Sequence, residues 1–474
     1  MSRINTNIPA LQAANRLLTN QQDLMTRLER LSSGLRINRG RDDPAGLIAS
    51  ETLRSEIRGI QGAIDNSARA INVLSVAEGA MNEVSSLLLD LQNLIVTSAN
   101  DGAISDAELK ANQLQVDSIL ESIDRIANTT QFAGEKLVDG TLGYTLSGVN
   151  SSDITTVRAY GARIPDNGTR TVVVEVTSSA QTAQLNFTGA TTSGTVSENI
   201  SIELAGAKGL EVFSFASGTS LNSIATAING ATSLTGVAAT VSGTALRLNS
   251  TSYGSAAFVS VKALTGDFIA SEGSTSRDYG VDATVLINGT TASVAGKLAS
   301  LRGNGFDLEI DLTPERAATL GTTTTFYITG GGAKFQIGPD VNTAGRVDIG
   351  IPSIATTNLG NNDVGWLASL KSGGQASLIG RNFAAAEAVV NEAISQIATL
   401  RGRIGGLQKN QIETNVNSQK VALENVQAAE SVIRDADYAT EVSKLTRAQI
   451  LVQSTTNILG LANQLPQNVL SLLG

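Results

Sequence analysis

Asp307 and Glu309 stand two residues apart in the run Phe306-Asp307-Leu308-Glu309-Ile310-Asp311-Leu312, and carboxylate pairs of this kind are one of the few acid–base resources in the chain. Little else is on offer. The sequence holds no His and no Cys, which removes histidine general bases, thiol nucleophiles, disulfides, His/Cys metal sites and the zinc-protease helix in one step. Lys, Ser and carboxylates remain open in principle. Residues two apart on a strand share a face, so Asp307 and Glu309 are expected to line one solvated strand edge instead of converging on a cleft. The expectation is a chain with no catalytic residue, no cofactor and no metal. Asn167-Gly168-Thr169, Asn186-Phe187-Thr188, Asn199-Ile200-Ser201 and Asn288-Gly289-Thr290 fit the N-glycosylation pattern, which in a Thr/Ser-rich stretch arises by chance.

Composition narrows the partners. A formal charge of −9 with a pI near 4.9 argues against nucleic acid, which needs a basic stripe to displace counterions. No apolar stretch approaches the ~20 residues that span a bilayer. The segment Met1-Ser2-Arg3-Ile4-Asn5-Thr6-Asn7 has no apolar core, so a conventional cleaved signal peptide is not expected. Aromatic residues make up 4% of the chain and there is one Trp, so its cores must be built from Ala, Val, Ile and Leu.

The elements that must carry any function show in the spacing. Leu17, Leu24, Leu28, Leu31 and Leu35 recur at three and four residues, as do Ile57, Ile60, Ile64, Ile71, Leu74, Met81, Val84, Leu88, Leu91 and Ile95. The same period returns at Phe383, Val390, Ile394, Ile397 and Ile404, then at Val416, Leu423, Val426 and Ile433. So narrow a stripe cannot hold a lone helix in water, and it asks for another helix. A first helix is expected over 8–35, stopping at Gly40, and a second starts with Asp43 as cap and Pro44 in the first turn. Run to residue 99, the second is on the order of 80 Å long. Ser105 and Glu108 form a capping box for a third. From Tyr144 the period becomes two, with Thr171 to Val176 and Phe258 to Leu264 rich in β-branched residues and one short helix at Leu221, Ile224 and Ile228 closed by Gly230. Helical period resumes near Ser377 and breaks at Asp435-Ala436-Asp437. The fold class is α+β and multidomain: a long coiled-coil bundle from the two terminal segments, with a β-rich insert. The extreme ends are apolar, with no partner evident within the chain.

Specific motifs then resemble those of bacterial flagellin. They are Leu31-Ser32-Ser33-Gly34-Leu35-Arg36-Ile37-Asn38, Asp42-Asp43-Pro44-Ala45-Gly46, Thr130-Gln131-Phe132-Ala133-Gly134, Asp437-Tyr438-Ala439-Thr440-Glu441, Arg447-Ala448-Gln449-Ile450-Leu451 and Pro466-Gln467-Asn468-Val469-Leu470-Ser471-Leu472-Leu473. The resemblance spans residues 1–142 and 380–474, with the motifs in the right order, while the middle matches only loosely.

The resemblance implies a subunit that polymerises with its own kind into the helical flagellar filament, located outside the cell and exported by the flagellar type III route. An export chaperone on the carboxy-terminal segment, a filament cap and hook-associated proteins would be its partners, with no nucleic acid and no membrane insertion. It divides the chain into an inner-core helix and connector (1–43), two rod segments (44–142 and 334–435, the latter with a β-hairpin), a variable outer region (143–333) and a second inner-core helix (436–474). Subunit contacts are expected from Ile4 to Leu35 and from Val442 to Leu473, at Ile8, Leu11, Leu17, Leu24, Leu28, Leu31, Leu35, Val442, Leu445, Val452, Leu459, Val469 and Leu472. A patch read by an innate immune receptor falls on Asp90, Leu94 and Gln115, where the family's usual Arg and Glu are replaced by Asp90 and Gln115. Charge reversal at a contact costs binding, so weak recognition follows. The alternatives are a hook–filament junction protein and an adhesin role for the insert. A zinc protease in the insert, which some flagellins carry, needs His and is excluded.

Overall fold

The computed structural model describes residues 6–100, 102–165, 168–187, 194–266, 268, 270–271, 277–303 and 305–470. The expected contacts at Ile4, Leu472 and Leu473 and the pattern at Asn167 lie outside them, and of Val469 only the backbone is described. Among the described residues there are nine α-helices: α1 Ile8–Ser33, α2 Pro44–Ser98, α3 Asp106–Thr129, α4 Leu221–Gly230, α5 Thr232–Thr235, α6 Pro314–Ala318, α7 Phe383–Leu407, α8 Thr414–Arg434 and α9 Tyr438–Leu470. Every other element is a short 3₁₀ or π turn or a β-strand. Two compact units emerge, one drawn from Met1–Asn66, Ile337–Val341 and Glu413–Gly474, the other from Ser67–Gln336 and Asn342–Ile412.

In the first unit α1 stops two residues earlier than its apolar period suggests. Gly34 takes a left-handed conformation at φ +72°, and its N–H donates to Arg30 O, closing the last turn as a glycine cap does. Leu35 therefore leaves the helix, bridging to Asp435, while the Arg36 N–H donates to Arg434 O at 2.7 Å. The restart at Pro44 is as expected. Asp43 Oδ1 accepts from the Gly46 N–H at 2.9 Å, and Asp42 Oδ2 accepts from the Asn38 and Arg39 N–H groups. Burial alone would raise the Asp42 carboxyl, but these two backbone donors outweigh it and hold it below the ordinary carboxylate range. The start of α2 is tied to α8 through Ser50, which donates to Glu430 and accepts from Arg434. No residue of α8 is fully buried.

The second unit has deep cores. On α2 the ladder Leu74, Ala77, Met81, Val84, Leu88, Leu91 and Ile95 is buried throughout, and on α3 so are Leu109, Val116, Leu120 and Ile123. Asn112 donates to Ser98 across the α2–α3 turn, and Gln92 donates to Asn391 of α7. Gln113 is buried yet fully bonded: its Nε2 donates to Leu370 O and Asp117, and its Oε1 accepts from the Leu378 N–H. It pins the turns that precede α7.

The insert is two β-sandwiches, one nested in the other. Tyr144–Ser147, Arg170–Ser178, Thr284–Ile287, Thr290–Thr291 and Thr323–Gly331 form a five-stranded sheet facing a four-stranded one made of Ile154–Ala162, Ser293–Ala295, Leu298–Gly303 and Phe306–Leu312. Val172, Val174, Val176, Phe326, Leu308 and Ile310 share their core. The run Phe306 to Leu312 alternates as its sequence predicts, with Phe306, Leu308, Ile310 and Leu312 inward. A second pair of four-stranded sheets, covered by α4, encloses Ile202, Leu204, Ile224, Ile228, Leu246 and Val259. The chain enters and leaves this lobe side by side, where Gln181 and Val281 exchange backbone hydrogen bonds at 2.9 and 3.0 Å.

The carboxylate expectation is overturned. The strand bearing Asp307 and Glu309 is an inner one, paired on both sides, and Arg403 of α7 reaches over it to bond both carboxylates. A residue about one hundred positions later in sequence turns a supposed solvated edge into a covered ion-pair cluster.

Candidate assembly surface

Helices α1 and α9 run antiparallel as a two-stranded coiled coil, and the most buried positions on α9 are small or polar. Glu441, Ala448, Thr455 and Ala462 recur every seven residues and are 4%, 2%, 9% and 6% exposed. Ala13 is their fully buried counterpart on α1. Small side chains at these positions let two backbones approach closely, and polar ones fix which residues meet. Asn20 Nδ2 lies 3.4 Å from Thr455 Oγ1, and Asn7, which caps α1 through the Ala10 N–H, donates to Ala462 O at 2.8 Å. Glu441 receives Arg27 at 3.0 Å, Lys444 at 3.4 Å and Arg30 at 3.6 Å. Burial pushes the Glu441 carboxyl up, but these bonds and charges, led by Arg27, outweigh it and hold it below its ordinary value.

Leu17, Leu24 and Leu31 alternate with Ala13, Asn20 and Arg27 on this bonded face and are half-buried, as are Leu445, Val452 and Leu459 opposite. These leucines therefore find shelter inside their own chain, which corrects the expectation that the ends lack an internal partner. Leu35 is likewise half-buried in its bridge to Asp435.

What is left bare is a different stripe. Leu11, Leu18 and Met25 recur every seven residues on the outward face of α1 and are 68%, 58% and 68% exposed, with Ile8 and Leu28 beside them. On α9 the outward residues are Val442, Ile450, Leu451, Ile458 and Leu461, with Ile450 and Leu461 62% and 65% exposed. Ile8, Leu11, Leu28 and Val442 stand among the contacts expected from the sequence, whereas Leu18, Met25, Ile450, Ile458 and Leu461 do not, because the Leu17, Leu24 and Leu31 repeat was also read as outward. An adjacent heptad repeat was the available signal. Contiguous exposed apolar surface of this kind marks an interaction site.

Asp90 and Gln115 are exposed on α2 and α3, and Leu94 between them in the chain is half-buried. The side chain of Asn288 is occupied, accepting from the Val173 N–H and donating to Thr171 O. Among the described residues no cluster of three His, Cys, Asp or Glu side chains suits a metal ion, and no helix is long and apolar enough to cross a membrane.

Comparison with known proteins bears on what this surface serves. Residues 4–142 match the bacterial flagellin N-terminal helical region and residues 388–473 the bacterial flagellin C-terminal helical region. Flagellin of Salmonella typhimurium is 30% identical over 521 aligned residues, covering 99% of each chain. The chain belongs to the flagellin family. Flagellin A of Vibrio cholerae (28% identical) and flagellin of Bacillus subtilis (27%) are each likewise matched over 99% of both chains. Among solved structures, a flagellar hook-associated protein-3 from Legionella pneumophila shares 12% identity at a TM-score of 0.31, covering 80% of this chain and 97% of that one. The flagellar cap protein D2–D3 domains from Serratia marcescens share 20% at 0.26, covering 36% and 95%. Both likenesses are too remote to place any part of this flagellin. As a flagellin it is a structural subunit of the bacterial flagellar filament, built as an α+β multidomain chain with helical ends and a β-rich middle.

Proposed function

We propose that this flagellin polymerises with further copies of itself through the bare stripes of α1 and α9. The observation that carries this reading is that Leu11, Leu18 and Met25, with Ile450, Ile458 and Leu461, stay exposed after α1 and α9 have paired. A surface that cannot be covered twice by its own chain is covered by a neighbour, and a head-to-tail contact that does not close on itself propagates as a helix. On this reading residues 1–43 and 436–474 form the inner layer, 44–142 and 334–435 the rod around it, and 143–333 the outer face. Non-enzymatic function, a location in the extracellular filament, export without a cleaved signal peptide, a chaperone on the carboxy-terminal segment and contacts with cap and hook-associated proteins belong to the same proposal, supported by family membership.

Seeded growth tests it. Purified full-length monomer mixed with short filament fragments should elongate into long tubes under the electron microscope. The variant Leu18→Asp with Ile458→Asp should keep its helical content and stay monomeric. Elongation of that variant at the unmodified rate would sink the proposal, and short rings in place of tubes would favour the junction role. The exposed Asp90, in place of the family's usual Arg, leads us to propose weak recognition by the innate immune receptor; activation by nanomolar monomer would refute it.

A further inference from the structure

Within the second unit, a groove of about 500 Å³ opens beside α7, lined by four arginines, Arg163, Arg302, Arg346 and Arg403, and by only two carboxylates, Asp307 and Asp348. Counting Glu309, which Arg403 also holds, four guanidinium groups meet three carboxylates. Arg346 is paired with Asp348 at 2.9 Å and donates to Ile164 O at 2.7 Å. Arg403, 8% exposed, takes Asp307 and Glu309 and lies 3.9 Å over the Tyr160 ring, yet its Nε has no hydrogen-bond partner. Arg302 has only a 3.5 Å share of the same Asp307. The Arg163 guanidinium has no ion-pair partner among the described residues. Sheet register places these two rim cations together. Asp307 stands opposite Arg302 on one side and Gly161 on the other, and the Arg163 N–H donates to Gly305 O at 2.9 Å. Gly161 adds no side chain to the floor, and a Cβ there would already press on Asp307 Cβ at 3.3 Å.

The opposite wall is kept open as well. Gly402 and Gly406 lie one turn apart on α7, where helix propensity favours Ala, and a Cβ on either would meet nothing within 4 Å. Asn410 and Gln411 line the groove from a π-helical segment, Gln408–Glu413, a local distortion that recurs at functional sites. Both present side-chain amides able to donate to an oxygen.

We propose that this groove binds an oxyanion, a phosphate, sulfate or carboxylate group, with Arg163 and Arg302 as its principal partners. Guanidinium forks suit such groups because they offer paired, fixed N–H donors. The same chemistry is carried by a free ion and by an acidic saccharide.

Full-length monomer should be titrated calorimetrically with inorganic pyrophosphate and, separately, with a sulfated disaccharide, both at ionic strength held constant with chloride. The expected result is saturable binding of one ligand per chain. It should weaken at least tenfold in Arg163→Gln with Arg302→Gln, and be lost in Gly406→Leu, which blocks the groove while leaving every charge in place. Tighter binding of the disaccharide assigns the group to a saccharide, and tighter binding of pyrophosphate to a free ion. Non-saturating heats in both titrations, or equal affinity in all three proteins, would overturn the proposal. Unchanged unfolding midpoints in the variants guard against loss through misfolding.

Discussion

The α1–α9 pair and the first sandwich of the insert solve the same problem, hiding apolar side chains, and they solve it to different degrees. In the sandwich, Val172, Val174, Ile310 and Phe326 are inaccessible, and Asp307, Glu309 and Asp311 alternate with the inward residues of their strand. In the helix pair the central positions are taken by Ala13, Ala448, Thr455 and Ala462, while Leu11, Leu18, Met25, Ile450 and Ile458 stay in water. Two helices have too little facing surface to enclose all the apolar residues they carry, whereas two sheets enclose a layer between them. The sandwich is complete within one chain, and the helix pair is not.

Truncating the core of the complete region should do the most damage to the isolated chain. Ile310→Ala should cost about 3 kcal/mol, read as an earlier denaturation midpoint in the fluorescence of Trp366. If the loss is no larger than for surface residues, the contrast between the regions fails. Next comes the buried acid of the helix pair. Glu441→Gln removes the buried charge that Arg27, Arg30 and Lys444 share, leaving Arg27 with Asp23 alone, and should cost about 2 kcal/mol, followed by circular dichroism. Because the folded carboxyl is held below the ordinary 4.5, its contribution is fully present above that pH and is lost as pH falls through the depressed value. The Gln variant should therefore lose less helix than the unmodified chain on acidification; equal acid sensitivity would assign the effect elsewhere.

Smaller again is Gly34→Ala, since an alanine held at φ +72° is strained by about 1 kcal/mol. Its signature is a lower thermal midpoint for the first unit alone. The smallest effect on folding is expected at the bare stripe: Leu18→Ala should shift monomer stability by less than about 0.5 kcal/mol. The same change should raise the concentration needed for seeded growth about tenfold, by the apolar area a neighbour no longer covers. A variant that loses stability but elongates normally would reverse the assignment of that face.

Much of the architecture was legible in the sequence because its signals are local. The Ser105–Glu108 box, the Asp43-Pro44 restart and the alternation from Phe306 to Leu312 each depend on neighbours a few residues away, and each appears where expected. Relations across long separations were not. The end of α1 was misplaced because Leu35 prolongs the apolar period beyond Gly34 while serving a different contact, its bridge to Asp435. The outward face was read only in part: Ile8, Leu11, Leu28 and Val442 were expected there, but Leu18, Met25, Ile450, Ile458 and Leu461 were not, because the most buried heptad positions are Ala, Thr and Glu, which mark the inward face only weakly in a hydrophobic pattern. Arg403 over Asp307 and Glu309 joins positions 94 and 96 residues apart, with nothing in either segment announcing the other.

The neighbouring entry and exit of the nested lobe carry a lesson about descent. With Gln181 and Val281 already holding hands through their backbones, most of what is strung between them is a cassette: a lineage could trim it, swap it or decorate it, so long as something takes the place of Tyr253, which packs against the core of the sandwich beneath.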